Sequence, residues 1–227
     1  MTRVQRLFDI LFAGMALAAL FPFLLPIALV LFFTGEGDVF YQQERVGLHG
    51  RHFGLLKFAT MLRNSPNIGA GEITVRNDPR VLPVGRFLRK TKLNELPQLW
   101  NILIGDLSVV GPRPMVPTTY AEYPVEARRE LNMVRPGLSG VGSLVFRDEE
   151  QWLDAAVDPR AFYRDVIIPY KASLEQWYVR HRSLTIYLQV ILMTLVALVW
   201  PSTDLPWRIW PTLPPLPDRL RDGREKG

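Results

Sequence analysis

Between Ile10 and Phe33 the chain runs for 24 residues without a charge. As a helix that run is about 36 Å long, more than the roughly 30 Å hydrocarbon core of a bilayer. Arg3 and Arg6 precede it, as basic residues precede a secretory signal. The run is too long for a signal's apolar core, and no small-x-small cleavage site follows. Pro22 and Pro26 sit in its middle, where each removes a backbone donor and clashes with the preceding turn. The two arginines favour an N-terminus on the inside. The basic, motif-rich remainder belongs inside too if it uses a nucleotide. One straight span cannot meet both demands, whereas a helix that goes in, breaks near Pro22 and comes out on the same side can. A simple spanning helix is the competing reading, because spanning helices tolerate proline kinks.

Beyond Thr34 the composition becomes that of a globular domain. Strand-like stretches at Val39–Gln42, Phe53–Phe58 and Leu107–Val110 alternate with Gly- and Pro-rich turns. Helical periodicity is present around Leu93, Leu96, Trp100 and Leu103, at Ala127–Met133 and at Tyr170–Arg182. The fold class expected is α+β, helix-rich. The expected divisions are 1–35, a re-entrant, Pro-broken membrane helix; 36–183, a catalytic domain; 184–200, an apolar helix lying in or spanning the membrane; and 201–227, a Pro-rich, charged tail. In that tail Trp207 and Trp210 are candidate headgroup anchors, and the charged end is expected to be disordered.

A net charge of +5 and a pI near 9.7 suit an anionic membrane surface, a nucleotide, a phosphorylated substrate or nucleic acid. No recognisable nucleic-acid-binding module is present, and the apolar segments argue against that class. With no cysteine there is no disulfide framework, thiolate metal site or thiol nucleophile. Three scattered histidines, His49, His52 and His181, make no metal cluster. Neither common Gly-rich phosphate loop nor a Gly-x-Ser-x-Gly elbow occurs.

Chemistry concentrates between Pro79 and Pro114. Arg80, Arg86, Arg89, Lys90 and Lys92 form a basic cluster, followed by Asn94-Glu95-Leu96-Pro97-Gln98-Leu99, which reads as a helix start. Asn94 is the expected N-cap, Glu95 complements the positive helix end, and Pro97 is tolerated in the first turn. A helix start flanked by arginines suits a diphosphate, although a capped helix with a solvated basic face explains the same residues. Gly111-Pro112-Arg113-Pro114 then ends a β-prone run. The two prolines stiffen the backbone around Arg113, and a rigidly placed guanidinium suits bidentate phosphate binding. A salt bridge from Arg113 to a nearby acid is the plain alternative.

Taken in order, Arg6/Asp9, Gln43-Glu44-Arg45-Val46-Gly47, Lys57-Phe58-x-Thr60-Met61, Asp78-Pro79-Arg80, Gly85 to Thr91, Asn94 to Gln98 and Gly111 to Pro114 resemble the bacterial sugar transferases, the monotopic phosphoglycosyl transferases. The resemblance covers about residues 3–140. It implies a monotopic protein of the bacterial inner membrane, with a re-entrant helix interrupted at Pro22 and Pro26 and a catalytic domain on the cytoplasmic face. It implies transfer of a sugar 1-phosphate from a UDP-sugar to polyprenyl (undecaprenyl) phosphate with release of UMP, using Mg²⁺. That reaction would be the first step of exopolysaccharide, capsule or O-antigen assembly. Membrane lipids are implied partners, a homodimer is left open, and nucleic acid is not a partner. By position, Glu95 is the metal-site acid, Arg86, Arg89 and Arg113 bind phosphate, and Lys57 adds positive charge nearby.

One departure concerns the chemistry itself. In that family an adjacent Asp–Glu pair works together, the Asp attacking the diphosphate. Here the first position is Asn94, and a neutral amide cannot form an acyl phosphate. Three explanations follow. Glu95 is itself the nucleophile, with metal ligands elsewhere such as Asp106; the lipid phosphate attacks directly; or the chain binds substrate without turnover. In the last case it is a catalytically inactive member acting as a membrane scaffold or regulator of polysaccharide synthesis. Ala59 in place of a common Arg, Phe21 in place of a common Ser, and the segment after Gly140 point to a divergent subgroup.

Overall fold

A computed structural model describes residues 3–68, 78–147, 149–154, 156–199 and 204–221. The charged end of the tail, 222–227, lies outside the described residues. The chain divides into two compact units: Leu7–Glu44 with Gly54–Gly105, and Met1–Arg6 with Arg45–Phe53 and Asp106–Gly227.

The first of these holds α1 (Arg3–Thr34) from Leu7 onward. Pro22 and Pro26 lie inside this helix without interrupting it, so the break expected near Pro22 is absent. Each proline forfeits one hydrogen bond, and the many remaining bonds of a 32-residue helix carry it past both. Only 6% of its most apolar window is buried, and Leu7, Leu11, Met15, Phe21, Phe23, Leu25, Phe32 and Phe33 are all exposed. A core helix of a water-soluble domain would cover that surface. Its last turns do pack: Leu31 joins Phe58 and Leu88 in a buried cluster flanked by Leu24, Ile27, Ala28, Val39, Val84 and Leu93. Phe40 stacks on Phe58 at 5.5 Å between ring centroids.

Strands β1 (Phe40–Val46) and β2 (His52–Phe58) form a two-stranded sheet, longer at both strands than the expected stretches. Helix α2 (Pro83–Lys90) starts at a proline, as the missing N–H allows. It lies directly on the chain after β2: Leu82 N–H donates to Thr60 O at 3.0 Å, Leu62 N–H donates to Arg80 O at 3.0 Å, and a Cβ on Gly85 would stand 2.2 Å from Thr60 O. Helix α3 (Gln98–Ile104) follows.

In the second unit, β3 (Ser108–Val110) pairs in parallel with β4 (Gly137–Ser139), with Ser108 opposite Gly137 and Val110 opposite Ser139. Helices α4 (Pro117–Glu122) and α5 (Val125–Leu131) make the crossover that a parallel pair requires. Beyond β4 come α6 (Val141–Val145), α7 (Glu149–Asp154), α8 (Pro159–Phe162) and a π-helical turn (Tyr163–Ile167) leading into α9 (Ile168–His181). One core cluster joins Tyr123, Ala127 and Leu131 to Ile168 and Ala172 of α9. Next is α10 (Leu184–Val199), the second apolar segment. It is two-faced: Tyr187, Val190 and Met193 are buried, while Leu184, Leu188, Leu192, Leu195 and Val196 are exposed. One face is thus packed within its own unit, and the other leaves apolar side chains exposed. Short helices α11 (Leu205–Ile209) and α12 (Asp218–Arg221) end the chain. The expectation of Trp210 as a headgroup anchor is corrected: it is buried, its indole N–H donates to Gln189 Oε1 at 2.8 Å, and its ring lies 5.5 Å from that of Trp177. Trp207 is half-buried and donates to Pro214 O at 2.9 Å.

Gly85→Ala forces backbone against backbone and is expected to destabilise by about 1–3 kcal/mol. A lowered thermal midpoint, against an unchanged Gly14→Ala control with open space at its Cβ, checks it.

Candidate functional site

The turn before α3 is a 3₁₀ segment, Leu93–Glu95, entered through Lys92 at φ 61°. Asn94 is not a helix cap. Its side chain makes no capping bond, and the residue preceding α3 is Pro97. An N-cap acceptor is served by the N–H two or three residues on; the Leu96 N–H donates to Leu93 O at 3.2 Å instead, and Pro97 has none. The Asn94 side chain is instead buried, with Oδ1 unpartnered among the described residues. Glu95 beside it is half-exposed and engaged in no ion pair among the described residues.

Asn101, buried on α3, sets where this turn sits. Its Oδ1 accepts from Leu56 N–H at 2.9 Å and its Nδ2 donates to Gly54 O at 2.9 Å, so one amide acts as a strand partner for β2. The next residue of that strand, Lys57, is half-buried and donates to Gln43 Oε1 at 3.2 Å. Asn101 therefore ties α3, the helix that follows the Asn94–Glu95 turn, to the strand that carries Lys57.

Among the basic residues, Arg86 is exposed on α2, and Arg89 is half-buried with Nη1 3.5 Å from Met61 Sδ. Arg80 leaves the expected cluster. It is buried, pairs with both oxygens of Asp78 at 2.8 and 2.6 Å, and donates to Ser65 O and Ile68 O at 2.7 Å each. Its donors are spent on the chain itself.

In the second unit the Gly111–Pro114 turn is tied down on every side. Gly111 N–H donates to Ser139 O at 2.9 Å, and Pro112 O accepts from Gly137 N–H at 2.8 Å. Pro114 O accepts from Arg45 Nη1 at 3.0 Å, and Val110 O accepts from the Tyr178 hydroxyl at 3.2 Å. The strands approach so closely that a Cβ on Gly137 would lie 2.0 Å from Gly111 N. Arg113 N–H donates to Glu175 Oε1 at 3.2 Å. The Arg113 side chain is exposed and forms no ion pair among the described residues. Asp106, half-exposed, belongs to this same unit.

Sequence reasoning passed over Asn101 and Glu175. Glu175 sits on the buried face of α9 with Ile168, Ala172 and Val179, spaced by four, three and four residues, so an acid on an apolar stripe was the available signal. Burial pushes its carboxyl up to about 7, against the opposing pull of the Arg113 N–H and the charges of Lys171 and Arg113. Lys171, largely buried, is shifted down by the same loss of water and is paired with Glu149 at 2.6 Å.

The bacterial sugar transferase family model matches residues 1–201. The chain belongs to the bacterial sugar transferase family. Among its relatives, an exopolysaccharide production protein (ExoY) of Sinorhizobium fredii is 41% identical over 160 residues, covering 64% of this chain and 70% of that protein. An undecaprenyl-phosphate glucose phosphotransferase of Komagataeibacter xylinus is 38% identical over 157 residues, covering 64% of this chain and 30% of that protein. An undecaprenyl-phosphate galactose phosphotransferase of Salmonella typhimurium is 32% identical over 195 residues, covering 80% of this chain and 37% of that protein. The chain thus spans about a third of the length of the last two.

For Mg²⁺, the test is the donor set. No three His, Cys, Asp or Glu side chains converge among the described residues. Mg²⁺ is commonly held by one or two carboxylates together with substrate phosphates and water. Glu95, next to the unpartnered Oδ1 of Asn94, fits that mode.

A raised carboxylate pKa means that the folded chain holds a proton which the unfolded chain has released, so stability falls as pH rises from about 4.5 towards 7. Glu175→Gln removes that dependence. It is expected to gain up to about 3 kcal/mol relative to wild type at pH 8 and almost nothing at pH 4; thermal melts at the two pH values read the difference.

Proposed function

We propose that this sugar transferase moves a sugar 1-phosphate from a UDP-sugar to polyprenyl (undecaprenyl) phosphate, releasing UMP, as an opening step of exopolysaccharide, capsule or O-antigen assembly. The observation that carries the reading is the family match over residues 1–201. The names of the relatives support the acceptor; the sugar is a matter for assay.

Asn94 directs the chemistry towards direct transfer. An oxygen of the polyprenyl phosphate attacks the sugar-bearing phosphorus. The bond from that phosphorus to the bridging oxygen breaks, and UMP leaves with the electron pair. Such a step asks the protein mainly for placement and charge. Arg113, on its fixed turn, is assigned to phosphate oxygens, as are Arg86 and Arg89, with Lys57 supplying further positive charge. Glu95, with the amide oxygen of Asn94, would hold Mg²⁺, which when bound neutralises charge on the diphosphate.

The test uses purified protein in nanodiscs with polyprenyl phosphate, Mg²⁺ and a panel of UDP-sugars. Wild type should release UMP with intersecting double-reciprocal plots and no phospho-sugar adduct, and Glu95→Ala should be slower by about 100-fold or more. An adduct on Glu95 would replace direct transfer with a covalent step. A silent wild type beside an active Asn94→Asp variant would leave the inactive, scaffolding reading in its place.

We further propose that α1 enters and leaves the cytoplasmic face of the inner membrane. Both of its ends are engaged with folded chain: Gln5 lines a small cavity with Ser108, Arg135, Tyr178 and Arg182, and Leu31 lies in the Phe58–Leu88 cluster. The prolines supply sites where the helix can bend. Because the chain has no cysteine, single cysteines at Arg3 and Gly35 can be labelled with an impermeant maleimide. Both are expected to react only from the cytoplasmic side of inner-membrane vesicles, and reaction from opposite sides would establish a span.

A further inference from the structure

Burying a carboxylate in the face of α9 that packs the core is costly, and an apolar residue there would pack as well. Glu175 is 3% exposed. Its Oε1 takes the Arg113 N–H at 3.2 Å, while Oε2 has no partner among the described residues. The chain opposite lies close to it at one glycine: a Cβ on Gly142 would come within 2.4 Å of Oε1. The other ties of this turn, from Ser139, Gly137, Arg45 and Tyr178, hold the residues on either side of Arg113. Glu175 alone among them takes the N–H of Arg113 itself.

We infer that Glu175 is a positioning residue for Arg113, its buried carboxylate fixing the main chain of the Gly111–Pro114 turn so that the guanidinium is presented outward in one orientation. This rests on the reading of Arg113 as a phosphate-binding residue. The ligand class is the diphosphate of a nucleoside diphosphate, which a guanidinium held in one pose engages through paired donors. Glu175 touches no substrate; it acts through the backbone of the residue that does.

A double-mutant cycle on UDP binding by the full chain in nanodiscs, read as Kd, tests the inference. Arg113→Ala is expected to weaken UDP by about 10- to 100-fold. Glu175→Ala should weaken it by a similar factor, and the double variant by no more than Arg113→Ala alone. Glu175→Gln keeps an oxygen for the Arg113 N–H and should bind UDP within about threefold of wild type, whereas Glu175→Met, which fills the volume without the acceptor, should lose UDP as Glu175→Ala does. Equal binding by the Gln and Met variants is what a merely space-filling role predicts and overturns the inference. Losses that multiply in the double variant, or normal binding by Glu175→Ala, overturn the inference. Where Glu175→Ala does not fold, Glu175→Met fills the volume without the acceptor and takes its place. A Glu175→Gln protein that melts normally yet loses UDP as Arg113→Ala does overturns the inference by itself. If Arg113→Ala binds UDP as wild type does, the reading of Arg113 fails and the inference with it. Loss on Arg113→Ala with all Glu175 variants normal sinks the inference alone.

Discussion

The main chain around Arg113 is the constraint on which the second unit turns. Two strands of three residues each are too short to define a sheet by pairing alone. What fixes them is backbone approach at Gly111 and Gly137, close enough that neither could carry a side chain, and the capture of Gly111 N–H, Pro112 O, Arg113 N–H and Pro114 O by different partners. Tyr178 and Glu175, both from α9, reach the carbonyl before the turn and the N–H within it. A buried helix thereby becomes a template for a surface loop, and the loop's one exposed cation inherits the rigidity of the core.

The first unit solves a similar problem with an amide. Asn101 gives α3 a fixed seat on β2 by offering one acceptor and one donor at strand spacing. Gly85 lets α2 lie against the chain that leaves the same strand. Lys57, Arg89 and the Asn94–Glu95 turn are thus carried on elements locked to one hairpin. Arg80 joins Asp78 to the Ser65 and Ile68 carbonyls through its own guanidinium. Residues that look like parts of one basic cluster in sequence prove to be of two kinds: Arg80 holds the chain, while Arg86 is exposed and Arg89 half-buried.

Much of this was legible from residue order. Strand propensity located β1, β2 and β3 to within a few residues, and 3.6-residue periodicity located α3, α5 and α9. The stiffness expected of Gly-Pro-Arg-Pro is present, though it comes as much from tertiary hydrogen bonds as from proline rings. The misses share a cause: each depended on a partner far along the chain or on a donor that was not there. Asn94 reads as a cap until Pro97 is seen to lack an N–H and the Leu96 N–H is found on Leu93 O. Trp210 reads as a membrane anchor because nothing local reveals Gln189 or Trp177. Pro22 and Pro26 read as a break because local rules charge each proline to its own turn, while a long helix spreads the loss. Glu175 was visible as a misplaced acid on an apolar face, but its purpose lies with Arg113, 62 residues earlier.

That separation also bears on when the motif becomes a structure. Gly-Pro-Arg-Pro leaves the ribosome long before Ser139, and longer still before α9, whose Tyr178 hydroxyl reaches back across 68 residues to Val110. Until those segments arrive, the arginine is a side chain on a wandering strand end, since the crossover must close before its contacts can form. Possession of the four-residue motif and possession of the fixed turn are therefore different things. A chain that stopped after β4 would carry the first in full and have no means of building the second.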